Sequence, residues 1–165
     1  MILRQARREE IPLCYQCIQD ARAYHKSLGF TQWHPGYPTP ETLAEDIDAG
    51  IGYAFVQDGK VLGYCCIIMG EEPAYQYIQG AWKTDQPYAV VHRMAFSRDC
   101  RGTGLSGPAI FLIKQLCQNL SVHAIRVDTQ EENKPMQHIL AREGFSFCGT
   151  VTFDGGPKLA YEWDR

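Results

Sequence analysis

The sequence predicts a mixed α/β (α+β) fold in which one mainly antiparallel sheet of about seven strands is flanked by about four helices. Three observations lead there. Asp58-Gly59 separates two apolar runs rich in β-branched and aromatic residues, the signal of a tight hairpin. Residues 88–128 read as strand, glycine-rich loop, apolar helix and strand, a β-α-β unit. The tail holds two more β runs, 147–153 and 159–163, around Asp154-Gly155-Gly156, a second hairpin.

Each element has a local cause. Residues 2–6 form a first strand, and Ile11, Cys14, Ile18, Ala21, Tyr24 and Leu28 mark one face of a long helix that Gly29 stops. Pro12 limits its start to the neighbourhood of Arg8, because proline fits only the first turn. Thr39-Pro40-Glu41 supplies an N-cap, a proline at the first helical position and an acid in the first turn of a short helix ending at Gly50. Strands follow at 52–57, 60–69 and 88–96. Pro108 places the first turn of the next helix at 104–108; Ala109, Leu112, Ile113, Leu116 and Leu120 form its stripe, widened by Ile110, Phe111 and Cys117. A strand at 124–128 precedes the last helix, opened by Asn133-Lys134-Pro135-Met136, carried by Met136, Ile139 and Leu140, and closed by Gly144-Phe145.

Composition narrows the function classes. A chain of 165 residues suits one domain, 1–165, with a core of its own. Its net charge of −3 argues against a nucleic-acid partner. The N-terminus lacks the apolar run of a signal peptide and no stretch is long enough to span a membrane, so a cytoplasmic protein is expected. Seven cysteines, an odd number set mostly in apolar segments, read as reduced core thiols. Cys14-x-x-Cys17 lies inside a helix, Cys65 and Cys66 face opposite sides of a strand, and neither pair has further ligands at zinc spacing, so no metal is expected.

The segment Arg101-Gly102-Thr103-Gly104-Leu105-Ser106-Gly107 carries the chemistry. Glycines permit positive φ and close backbone approach, and the helix behind them aims unpaired N–H groups and its positive dipole end over the loop, so an anion is expected there. Gly102, Gly104 and Gly107 also spell G-x-G-x-x-G with Asp128 at a strand end further on. A dinucleotide turn, however, follows its strand directly, and here Ser97 to Arg101 intervenes. A Walker A loop needs Lys and Ser or Thr where this chain has Pro108 and Ala109. A plain glycine turn before a core helix is the remaining alternative.

Arg101-Gly102-Thr103-Gly104-Leu105-Ser106 resembles the R-x-x-G-x-G/A motif of the GCN5-related N-acetyltransferases, the GNAT family, with Ser106 in place of the last small residue. Asn133, Met136, Ile139 and Gly144-Phe145 match the family's pattern in its next helix, so the resemblance covers 88–145, and the first half agrees in its order of elements. It implies acetyl-CoA as cofactor, with the main chain of Arg101, Gly102, Thr103, Gly104, Leu105 and Ser106 on the pyrophosphate. Met94, Ala95 and Phe96 would lie beside the pantetheine arm, Asn133 and Pro135 on its far side, and the strands at 88 and 124 would splay to admit it.

Acetyl transfer to an amine needs a neutral nitrogen, donors for the developing oxyanion and a proton for the leaving thiolate. His92 lies two residues before Met94, and a histidine pKa of about 6.5 suits a general base, directly or through water; a histidine bonded within the sheet is the alternative. A histidine here also occurs in some arylalkylamine acetyltransferases, which residues 92–96 resemble. Arg93 either holds a substrate carboxylate or covers the sheet, and a bulge would exchange the faces of the two. Many family members carry an acid tyrosine where this chain has Leu140; Tyr161 or Tyr88 stands in, or each is a core tyrosine. The loop from Gln32 through Trp33 to Tyr37, with Trp82 and Tyr88 as a second wall, lines an acceptor pocket if it is not ordinary loop packing. The expected activity is acetyl-CoA-dependent N-acetyl transfer to a small or amino-acid-like amine acceptor, directly in a ternary complex. The rivals are a CoA-binding sensor or scaffold without turnover and a protein lysine or N-terminal acetyltransferase. A homodimer is common among proteins of this resemblance.

Overall fold

The computed structural model describes residues 1–153 and 155–165, so Asp154, expected in the second hairpin turn, lies outside the described residues. The chain divides into two units, Met1–Ile67 with His92–Leu112, and Ile68–Val91 with Ile113–Arg165. Eight strands and four α-helices are present among the described residues, against about seven strands expected.

In the first unit, β1 (Ile2–Gln5) pairs antiparallel with β2 (Gly52–Gln57), which pairs antiparallel with β3 (Lys60–Met69). The β2–β3 turn places Asp58 at φ 50° and Gly59 at φ 76°, the two positive values a tight type I′ hairpin demands. Helix α1 (Ile11–Ser27) follows a short 3₁₀ turn at Arg8–Glu10 and keeps Pro12 in its first turn. Helix α2 (Pro40–Asp48) is capped reciprocally: Thr39 Oγ1 accepts from the Thr42 amide at 3.2 Å, and Thr42 Oγ1 accepts from the Thr39 amide at 3.1 Å. Cys14, Cys17, Ile18, Trp33, Leu43, Ala54, Tyr64 and Ala95 build the core. Cys17 is therefore as buried as Cys14, although only Cys14 was expected on the main stripe. Leu28 is exposed because the helix ends there and the chain reverses at Gly29. Burial pushes both thiols up to about 12, so they stay protonated and act as packing groups.

His25 stacks on Phe30 with centroids 4.8 Å apart and packs edge-to-face with Trp33 at 5.6 Å between centroids. Burial pushes its imidazole down from 6.5 to about 4. On acidification the unfolded chain binds this proton first, so stability is fully present above pH 6.5 and declines as pH falls toward about 4. His25→Phe keeps the ring stack and is expected to flatten that part of the pH–stability curve in denaturant titrations; an unchanged slope would show that carboxylates alone cause it.

β5 (Tyr88–Phe96) and α3 (Ser106–Asn119) each contribute residues to both units, as does β3, whose last two residues belong to the second. Pro108 sits in the first turn of α3 as expected, but Phe111 and Leu120 are exposed, so the buried stripe of Ala109, Ile110, Ile113 and Cys117 is narrower than the sequence suggested.

The second unit holds β4 (Gln79–Gly80), β6 (Ala124–Thr129), α4 (Lys134–Arg142), β7 (Ser146–Phe153) and β8 (Gly156–Asp164). β6 pairs antiparallel with β8, β8 with β7, and β7 with β4; β5 pairs parallel with β6 at Tyr88, Ala89 and Val90. β4 is the strand not expected: its two residues are too few to show a period, and pairing with Thr150 and Gly149 defines it. Tyr75, Val90, Val151 and Ala160 form this core. Beside it lies the fully buried Glu162, whose Oε2 accepts from the Lys83 amide at 3.0 Å and stands 3.4 Å from Arg126 Nε. Burial pulls the Glu162 carboxyl upward and the Arg126 charge opposes it.

Candidate active site

The turn before α3 is built from main-chain bonds. The Ser97 amide donates to Leu62 O at 2.9 Å, anchoring the end of β5 to β3, and a 3₁₀ turn at Arg98–Cys100 follows. The Arg101 amide donates to Arg98 O at 3.1 Å, and Thr103 gives both its amide, at 3.3 Å, and its hydroxyl, at 2.6 Å, to Cys100 O. Gly102 and Gly104 take φ 74° and 77°, and a Cβ on either would meet nothing within 4 Å, so they are glycines for the sake of conformation and not of packing. The amides of Gly102 and Gly104 have no partner among the described residues, and Arg101, Gly102, Thr103 and Gly104 are all exposed. An open face, unspent amides, a guanidinium and a helix N-terminus fit a diphosphate. Helix α1 braces the turn: Asp20 Oδ2 accepts from the Arg98 amide at 2.9 Å, and the Arg101 guanidinium lies 4.0 Å from the centre of the Tyr24 ring.

β5 leads into this turn. Its Ala95 is buried, His92, Met94 and Phe96 are half-buried, and Arg93 takes φ 55°, a left-handed residue that breaks the side-chain alternation as a bulge does. Arg93 Nε donates to Asp46 Oδ2 at 3.0 Å and Nη2 to Asp46 Oδ1 at 2.6 Å, while Nη1 donates to the Tyr37 hydroxyl. Tyr64 donates its hydroxyl to Asp46 Oδ2 at 2.7 Å. Of the two alternatives for Arg93, a fork for a substrate carboxylate or a residue of the sheet, the geometry favours the second, since Arg93 spends its bidentate face on an acid of its own chain. Cys66, near this pair, has its thiol pushed up to about 12 by burial and is no nucleophile at neutral pH.

Of the aromatic loop, Tyr37 joins this network and Gln32 is half-buried, but Trp33 is only 8% exposed and is part of the core. The other acceptor-wall residues belong to the second unit, where Trp82 and Tyr88 flank Arg126, its guanidinium 4.3 Å and 3.8 Å from their ring centres. The Trp82 indole donates to Tyr75 O at 2.9 Å, and the Tyr88 hydroxyl accepts from the Glu72 amide at 3.4 Å. Asn133 caps α4, its Oδ1 accepting from the Met136 amide at 3.2 Å, with Pro135 in the first turn. Leu140 is buried; Tyr161 is also buried, its ring packed edge-to-face with Phe147 at 5.6 Å between centroids and its hydroxyl pKa raised by burial. No group of metal ligands occurs among the described residues, and no helix of these is long and apolar enough to cross a membrane.

Asp46, Tyr64, Asp20 and Tyr24 were missed by sequence reasoning. Asp46 left a signal, an acid three residues after Leu43 and one before Ile47 on the inward face of α2, where a lone charge implies a buried partner.

The model of the Acetyltransferase (GNAT) family matches residues 15–145. Among solved structures, a GNAT family acetyltransferase from Streptococcus agalactiae 2603 is 34% identical with a TM-score of 0.89, the alignment covering 99% of this chain and 94% of that one. A GNAT family acetyltransferase from Listeria monocytogenes 4b F2365 is 23% identical with a TM-score of 0.76, covering 99% and 94%. The aminoglycoside acetyltransferase AAC(6')-Ib, crystallised with coenzyme A and kanamycin, is 21% identical with a TM-score of 0.72, covering 99% and 94%, and shares the fold. No curated protein matches.

Proposed function

The chain belongs to the GNAT family of acetyltransferases, and from that premise we propose that it is an acetyl-CoA-dependent N-acetyltransferase acting on a small amine by direct transfer in a ternary complex. The observation that carries the reading is the turn at 101–106, with its two left-handed glycines, unspent amides and helix start. The fold shared with an enzyme crystallised with coenzyme A and kanamycin supports both the coenzyme and a small amine acceptor.

When bound, acetyl-CoA supplies the thioester carbonyl that the amine attacks. The amides of Gly102 and Gly104 and the Arg101 guanidinium, within the turn at 101–106, would hold its diphosphate. The main chain of Met94, Ala95 and Phe96, which leads into that turn, would lie along its arm. A His92 ring nitrogen takes the proton of the acceptor ammonium, directly or through water, releasing the neutral nucleophile. Since Leu140 offers no hydroxyl, the proton for the leaving sulfur would come from solvent or from Tyr161, a phenol whose ordinary high pKa burial raises further. All seven cysteines are free, which supports a reducing, cytoplasmic setting.

Leu140 favours a second reading, a sensor that binds acetyl-CoA without turnover. Calorimetry with acetyl-CoA, followed by thiol-release assays on a panel of small amines, separates the two. Binding with release of CoA on at least one amine is expected; tight binding with no release on any acceptor would favour the sensor, and no binding would remove both.

A further inference from the structure

A buried carboxylate is costly unless it is paired and fully hydrogen-bonded, and Asp46 is buried, its side chain 7% exposed and bonded to Tyr64 of the core. Three donors answer it: Arg93 Nε and Nη2 and the Tyr64 hydroxyl. Arg93 in turn occupies a backbone region that few side-chain-bearing residues adopt, with φ 55° in the middle of a strand. Such a conformation persists where the surroundings over-determine it, and the bidentate grip of Asp46 does so. The remaining bond, from Nη1 to the Tyr37 hydroxyl, reaches into the loop between α1 and α2. Arg22 of α1 holds the same loop by its main chain, donating to Pro38 O at 2.7 Å. The chain neighbours of Arg93 are His92 and Met94, so one guanidinium joins the strand proposed to carry the chemistry to the loop proposed to shape the acceptor site.

Resting on the proposed acetyl transfer, we infer that Arg93 is a positioning residue through which buried Asp46 fixes the break in β5 beside His92 and pins Tyr37 as a rigid, uncharged wall for the acceptor. The charges of Arg93 and Asp46 cancel within the core, so this wall selects by shape and by the phenol. Having accepted a bond from Arg93, the Tyr37 hydroxyl keeps its own hydrogen to donate to an oxygen or neutral nitrogen of the acceptor. An acceptor carboxylate gains nothing from Arg93.

Tyr37→Phe, Arg93→Lys and Asp46→Asn in the full chain test this, with the best amine of the panel as acceptor. Tyr37→Phe is expected to raise KM for the amine about 3- to 10-fold, with the loss in KM and not in kcat or in acetyl-CoA affinity by calorimetry. Arg93→Lys, which cannot reproduce the bidentate fork, is expected to speed amide hydrogen exchange in residues 30–39 and 90–97 together and to lower kcat, with Asp46→Asn acting in the same direction. Exchange that rises in one segment alone, or an amine KM unmoved by Tyr37→Phe, overturns the inference. If Arg93→Lys or Asp46→Asn fails to fold, Tyr37→Phe, which removes one hydroxyl, decides alone. Should the wild type bind acetyl-CoA yet acetylate no amine, the functional reading fails while the exchange measurement still judges the coupling.

Discussion

Gly104→Val is expected to weaken acetyl-CoA binding by at least about 100-fold, the equivalent of losing two charge-assisted hydrogen bonds at about 1.5 kcal/mol each. At φ 77° a β-branched side chain is strained, so the turn must either move or store about 1–3 kcal/mol. In both cases the amides of Gly102 and Gly104 are displaced from the positions proposed to meet the diphosphate. Because a Cβ at this position meets no atom of the chain within 4 Å, the cost to the fold comes from the backbone angle and not from a Cβ clash, and the side chain is expected to enter the space assigned to the phosphates. Calorimetry against acetyl-CoA and a thermal melt together make the measurement: a fold that survives with binding lost supports the cradle. A valine variant that binds as the wild type does would show that the coenzyme lies elsewhere.

His92→Ala is expected to lower kcat by about 100- to 10,000-fold, the usual contribution of a positioned general base, while acetyl-CoA affinity stays as it was. The rate lost is proton removal from the acceptor ammonium. Raising the pH supplies neutral amine from solution, so the variant's kcat/KM should climb with pH beyond the point where the wild type levels off. That climb separates a base from a histidine that merely braces the sheet, whose loss would lower the rate equally at every pH. An unchanged rate at neutral pH removes His92 from the chemistry.

Much of the scaffold was legible because its causes are local. Asp58-Gly59 forced the hairpin, Thr39-Pro40 the start of α2, Asn133 the cap of α4, and Pro108 the first turn of α3, each through dihedral limits or a capping bond spanning a few residues. The rest was not legible where neighbours distant in sequence decide burial and contacts. Trp33 reads as a pocket wall by its company in a proline-bearing loop, yet His25 and the core of the first unit claim it. Phe111 and Leu120 extend an apolar stripe but face outward. Trp82 and Tyr88 look like bare aromatic walls until Arg126, 44 and 38 positions further on, is found against their rings.

The candidate site divides along the same line. The conformation of the turn proposed to cradle an anion, 101–106, was determined by the sequence alone, since its positive φ values and the helix start that follows are properties of glycine, proline and the backbone within one short segment. What Arg93 does was decided only by the tertiary structure. Its partners Asp46 and Tyr37 lie 47 and 56 residues away, and a guanidinium serves a substrate or its own chain according to which carboxylate the fold brings within reach.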